Sequence, residues 1–123
     1  MDYRIELIIL PVSDVDRATA FYADPAGFVV DHDQRVNENL RFVQLTPPGS
    51  ACSIAFGEGL VDTPPGSVHG LQIVVDDADA AHADLSARGV PVSPVEDLAW
   101  GRFVYFADPD GNAWAVQELP KRG

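Results

Sequence analysis

Val12-Ser13-Asp14-Val15-Asp16-Arg17-Ala18 and Val75-Asp76-Asp77-Ala78-Asp79-Ala80-Ala81 share the pattern V-x-D-x-D-x-A at a spacing of 63 residues. In each, an apolar run leads into a segment whose central aspartate can cap a helix by accepting backbone N–H bonds. The following aspartate suits the positive end of that helix's dipole. A repeated strand-to-helix corner in a chain of 123 residues points to two copies of one small module.

Around the first copy, Arg4 to Val12 is nearly continuous apolar sequence and reads as a strand buried on both faces. Val15, Ala18, Phe21 and Tyr22 form the inner stripe of the helix that follows, and Pro25 and Gly27 end it. Phe28 to Val30, Arg41 to Leu45 and Ala51 to Phe56 read as three further strands, the last entered through the turn Pro47-Pro48-Gly49. Around the second copy, Gly70 to Val75 is a strand, and Asp77 caps a helix running through Leu85 to a stop at Gly89. Val90 to Val92, Arg102 to Phe106 and Ala113 to Glu118 complete the half, with Asp108-Pro109-Asp110-Gly111 matching the earlier turn. The fold class is therefore α+β, built from two βαβββ modules in one domain: module one about 4–56, a linker 57–67, and module two about 68–119. Neither module can bury both faces of its sheet alone, so the halves must pair, within the chain or with another copy.

Composition narrows the function by exclusion. The chain carries 19 acidic against 8 basic residues, a net charge of −11, which repels nucleic-acid phosphates and anionic membrane surfaces. No apolar run is long enough to span a membrane, and Asp2 and Glu6 around Arg4 do not make a signal peptide. Cys52 is the only cysteine, so no internal disulfide or thiolate zinc cage can form. A cytoplasmic protein with neither a nucleic-acid nor a membrane partner is the natural reading.

Side chains that could carry chemistry have plainer readings. Ser53 has no evident His and acidic partners for activation as a nucleophile. Asp108 and Asp110 flank a proline in a tight turn, where such side chains bond their own backbone. Gly57-Glu58-Gly59 lacks the lysine of a phosphate loop. Cys52 alternates with Ile54 and Phe56 and reads as a buried thiol, while His32 and His82 read as solvated.

The order of elements, with V-S-D-V-D-R-A-x-A-F-Y in the first half and F-x-D-P-D-G-N-A-W in the second, resembles the vicinal oxygen chelate superfamily of glyoxalases, bleomycin-resistance proteins, fosfomycin-modifying enzymes and extradiol dioxygenases. That resemblance implies paired modules curved around a cup. In the metalloenzymes of the family, His, Glu or Gln from the first and last strands of each module hold a divalent ion that acts as a Lewis acid. Counted from the family's motifs, those positions fall on Leu7, Ser53, Gly70 and Ala115 here, which offer one hydroxyl between them. The expectation is a chain without the usual metal and with no cofactor. Glu6 and His69 each lie one residue before an expected ligand position and Glu118 lies three after another. A one-residue offset turns a strand side chain to the opposite face, so a Glu6/His69/Glu118 site would need a bulge.

With those positions marking the inward face, alternation places Leu7, Ile9, Ser53, Ala55, Gln72, Val74, Ala115 and Gln117 inside the cup. Ile8, Leu10, Cys52, Ile54, Phe56, Ile73, Val75, Trp114 and Val116 face the helices. Trp100, on a rim loop, could stack on a flat ligand or plug the mouth. Arg102 could add charge, and Tyr105 or Phe106 could also face inward. This is an apolar concavity with a few orienting amides, suited to a small molecule. Two functions fit: a metal-free binding protein of the bleomycin-resistance kind that sequesters a flat or partly apolar compound, or an enzyme of the superfamily (lyase, isomerase or dioxygenase-like) working without the usual metal or with an atypical site. The resemblance also implies a homodimer.

Overall fold

The structure, a computed structural model, describes residues 1–120. The chain runs β1 (Leu7–Ile9), α1 (Val15–Ala23), β2 (Val29–Asn37), β3 (Leu40–Thr46), β4 (Ser53–Glu58), β5 (Leu71–Val75), α2 (Ala78–Ala87), β6 (Glu96–Leu98), β7 (Gly101–Ala107) and β8 (Ala113–Glu118). Each half is a βαβββ module forming its own four-stranded mixed sheet, β1-β4-β3-β2 and β5-β8-β7-β6. In both, the first and last strands are parallel and the rest antiparallel.

The repeated corner behaves as its residues dictate. Asp14 accepts from the Arg17 amide at 3.0 Å and Asp77 from the Ala80 amide at 3.1 Å, each on an extended backbone that starts its helix. Such a cap contributes about 1 kcal/mol. A second pin also repeats. On the strand edge of module one, Arg41 bonds Asp16 of α1 and Asp33 of β2; in module two, Arg102 bonds Asp79 of α2 and Asp97 of β6. Arg41 pairs with Glu58 and Arg102 with Glu118 across their ladders, which fixes how the modules superimpose.

The helix-facing sides of both sheets share one core. Leu10, Val15, Ala18, Tyr22, Val43, Leu45, Ile54 and Phe56 from module one join Leu71, Leu85, Val104, Phe106, Trp114 and Val116 from module two. The seam is aromatic: Tyr22 meets Trp114 edge-on at 6.0 Å between centroids, and Phe106 stacks on Trp114 at 5.9 Å. The polar part of the seam comes from the Asp108–Asn112 turn. Buried Asp108 accepts from the amides of Asp110, Gly111 and Asn112 through one oxygen. Its other oxygen accepts from the Tyr22 hydroxyl at 2.8 Å and the Asn112 side-chain amide. Trp114 Nε1 donates to that same Tyr22 hydroxyl, and Asn112 Nδ2 donates to the Pro11 carbonyl. Asp110 accepts from the backbone and hydroxyl of Ser13 and from Arg17, at the first-module corner. Gly66 packs against the same turn with φ +76°, and a Cβ there would lie 2.0 Å from the Asp110 carbonyl oxygen, so only glycine fits.

Three expectations need correction. The first strand is Leu7–Ile9 rather than Arg4–Val12, and it is not buried on both faces: Ile8 and Ile9 are each 38 % exposed. Among the described residues it pairs only with β4, and its other edge has no neighbouring strand. Val90 to Val92 form no strand, because Pro91 and Pro94 remove amide donors and leave the Ser93 amide to bond the Tyr105 carbonyl. The short β6 takes the sheet edge instead. Finally, β2 continues far beyond Val30, with register shifts between Val30 and His32 and between Arg35 and Asn37. Among the described residues, no helix is long and apolar enough to cross a membrane.

Candidate functional site

The faces turned away from the helices carry most of the residues predicted to line a cup. In module one, Leu7 pairs with Ser53 and Ile9 with Ala55, which puts these four on one face. In module two, Gln72 pairs with Ala115 and Val74 with Gln117 in the same way. Tyr105 lies opposite Ala115 and Phe106 opposite Trp114, so Tyr105 faces outward with the cup residues while Phe106 packs in the core. Phe103, absent from the expected set, has the same parity as Tyr105 and stacks parallel to it at 6.0 Å. Alternation back from Tyr105 would have found it. Partial burial, helped by the Glu96 carboxylate, raises the Tyr105 phenol above its ordinary value.

Superposition through the Arg41–Glu58 and Arg102–Glu118 pairs revises the ruler in one place. Counting back along the last strands makes Ala55 the counterpart of Ala115, and makes Ala113 the counterpart of Ser53. The turn Pro47–Cys52 is longer than its partner turn, so counting from its glycine slips the register by two residues. Leu7 and Gly70 remain equivalent. With Ala55 in place of Ser53 the hydroxyl is lost as well: the family positions Leu7, Ala55, Gly70 and Ala115 offer only hydrocarbon and glycine, a set that does not fit a divalent cation. Glu118 is engaged elsewhere, accepting from the Ala78 amide at 2.9 Å and lying 3.6 Å from Arg102. Glu6 and His69 are exposed, and among the described residues no three His, Cys, Asp or Glu side chains gather to hold a metal.

Arg102 does not join the cup. It points to the helix side, held between Asp79 and Asp97, because its partner across the ladder is Glu118 rather than a cup residue. Trp100 sits in the loop before β7 and is 62 % exposed, so its ring does not plug the sheet face. Its carbonyl accepts from Gln117 Nε2 at 2.9 Å, and Gln117 Oε1 in turn accepts from Gln72.

A cavity of about 370 Å3 opens between the modules, lined by Ser53, Gln72 and Val74 together with Ile8, Gly70, Trp114 and the Pro47–Ser50 turn. A more open depression of about 380 Å3 brings Tyr105 and Ala115 beside Gly70. Leu7, Ile9, Ala55 and Gln117 are on the same sheet faces but line neither hollow. One further group was hidden from sequence reasoning. Asp31, two residues along β2 from Val29 and so on the face of Val29's partner Thr46, accepts from the Thr46 hydroxyl through its carboxylate. Thr46 also bonds Ser53 at 2.7 Å, oxygen to oxygen.

The comparisons with known proteins agree with this geometry. Residues 4–116 match the family model described as the Glyoxalase/Bleomycin resistance protein/Dioxygenase superfamily. Among solved structures, TnmS3, described as an antibiotic binding protein from Streptomyces sp. CB03234, is 35% identical with a TM-score of 0.86, over 97% of this chain and 98% of its own. A glyoxalase/bleomycin resistance protein from the same Streptomyces strain is 37% identical with a TM-score of 0.80, covering 93% of this chain and 99% of its own. A superfamily member from Sphaerobacter thermophilus is 31% identical at a TM-score of 0.82, covering 94% and 97%. With the matched motifs and the two βαβββ modules in place, the chain belongs to the glyoxalase/bleomycin resistance protein/dioxygenase superfamily.

Proposed function

We propose that this protein binds and sequesters a small, flat or partly apolar molecule in a metal-free cup, acting in the cytoplasm as a homodimer. The observation that carries the reading is the character of the outward sheet faces. Ile9 in one sheet and Val74 and Tyr105 in the other, apolar or aromatic, are 38 %, 58 % and 36 % exposed, and the second sheet also carries the Phe103–Tyr105 stack and the Gln72–Gln117 amide pair. Such surface is costly to leave in water and suits a flat ligand held by stacking and a few oriented polar groups. The absence of a metal-compatible donor set at the family positions favours binding over Lewis-acid catalysis. The description of TnmS3 as antibiotic binding, at 35% identity over nearly the whole chain, supports a small-molecule ligand. Pairing with a second copy would cover the unpaired β1 and β5 edges, which is the physical ground for the dimer.

The test is calorimetric titration of the purified protein with flat tricyclic compounds, carbazole and fluorenone, before and after treatment with chelator. One saturable site per subunit, unchanged by chelation and without conversion of the compound, is expected. A stoichiometric divalent ion found by metal analysis, or binding lost with the chelator, would overturn the metal-free reading. Sedimentation equilibrium should return the mass of a dimer.

A further inference from the structure

We infer that the floor of this cup is a fixed hydrogen-bond acceptor, set by the relay Asp31–Thr46–Ser53, and that it selects ligands presenting an N–H or O–H donor. The inference rests on the binding reading above and assigns its specificity. Its logic is a count of hydrogens. An ionised carboxylate accepts only, so the single hydroxyl hydrogen of Thr46 is spent on Asp31. The Thr46 oxygen can then only accept in its contact with Ser53, 2.7 Å away, so the Ser53 hydrogen is spent on Thr46. What Ser53 turns to the cavity is therefore lone pairs. Ser53 is only 4 % exposed, yet it lines the 370 Å3 cavity, so a ligand group that reaches it does so in a largely water-free setting. There, an unmatched acceptor facing another acceptor is expensive.

The opposite wall brings one side-chain amide to the cavity, that of Gln72. Gln117, outside the lining, gives one amide hydrogen to the Trp100 carbonyl and its oxygen to Gln72. Gln72 spends one of its two amide hydrogens on Gln117 and keeps one hydrogen and its own oxygen. Gln72 can therefore meet a ligand as donor or acceptor, and the fixed acceptor character of the floor is that of Ser53. The free oxygen of Asp31, at the exposed end of the relay, extends that character toward the rim. Asp31 reaches Thr46 because Val29 pairs with Thr46 and Asp31, two residues along the strand, shares the face of Val29.

Carbazole and fluorenone form a matched pair for the test: neutral flat tricycles of similar size, one with an N–H donor, the other with a carbonyl acceptor. The wild-type protein should bind carbazole about tenfold more tightly than fluorenone, the factor expected for one buried hydrogen bond made against one refused. Thr46→Val keeps the shape and the strand preference but frees the Ser53 hydroxyl to rotate and donate, so the preference should fall to about twofold or less. Asp31→Asn, an exposed change that lets the amide donate to Thr46, should do the same and serves as the second variant should Thr46→Val fold poorly. Equal or tighter binding of fluorenone by the wild type, or a preference that survives intact in Asp31→Asn, would overturn the acceptor assignment while leaving the binding cup. Failure of both compounds to bind saturably would overturn the cup itself.

Discussion

The turns Pro47–Cys52 and Asp108–Asn112 enter β4 and β8 at equivalent places in the two modules, yet they do opposite work. The first closes on itself: the Ser50 amide donates to the Pro47 carbonyl at 3.0 Å, and the Ser50 hydroxyl exchanges bonds with Cys52. Its outer surface lines the inter-module cavity. The second reaches out, joining Tyr22, Pro11, Ser13 and Arg17 through Asp108, Asp110 and Asn112, with Trp114 linked in through the Tyr22 hydroxyl. A duplicated module thus keeps its strand order while dividing duties: one turn holds the halves together, and its counterpart is left free to line the cavity between them.

The sharpest way to break this comparison is to remove the outreaching carboxylate. Asp108→Ala strands the Tyr22 hydroxyl, the Asn112 amide and three turn N–H groups, so it should cost about 3–5 kcal/mol of unfolding free energy. Ser50→Ala in the self-contained turn should cost no more than about 0.5 kcal/mol. Urea unfolding of the two variants measures both, and similar losses would mean that the turns share the load equally.

Next in size is Tyr22→Phe, which keeps the ring packing and deletes only the bridge between α1 and module two. A loss of about 1–3 kcal/mol is expected, since Trp114 Nε1 loses its acceptor in a buried site. The phenol also leaves a signature in pH. Burial, and then the Asp108 carboxylate, raise its pKa far above the ordinary value. A raised folded pKa gives stability that is complete below the unfolded value of about 10 and falls as pH rises beyond it. The wild type should therefore lose melting temperature above that pH, and Tyr22→Phe should lose it less steeply. An unchanged alkaline slope would show that the seam does not depend on this hydroxyl.

These contacts mark where the sequence stops being legible. The V-x-D-x-D-x-A corners are local, so their helices, caps and inner stripe could be read directly from residue type and spacing. The DPDGN turn was equally legible as a turn, but its grip on Tyr22 and Pro11 joins residues 86 and 101 positions apart, which no local pattern encodes. Strict alternation recovers which residues of β4, β5 and β8 share a sheet face, where apolar residues mark the parity. It has no purchase in β2, where Asp31-His32-Asp33-Gln34-Arg35 has no apolar phase to follow and the register shifts. Arg102 enters the expected lining through its place beside Trp100, not through alternation, which sets it on the face opposite to Tyr105. A charge beside the cup looked like a ligand contact, whereas the repeat itself held the better clue: Arg41 with Asp16 is the same pin as Arg102 with Asp79.

That pin is where the modules have not diverged, and it yields the smallest expected effect. Hydrogen bonds from Arg41 hold the Asp33 carboxyl below its usual range, and those from Arg102 do the same for Asp79. A depressed folded pKa contributes stability that is present above the unfolded value of about 4 and is lost as pH falls below it. Both partners are open to solvent, so screening keeps each contribution small. Arg41→Met and Arg102→Met should each lower the melting temperature slightly at neutral pH and flatten its decline in acid, by similar amounts. High salt should shrink both effects together. If only one variant changes the acid limb, the division of labour seen in the turns extends to the pins as well. If both do, the two modules still share the device that docks each helix to its sheet and differ only where one meets the other and where the cavity opens.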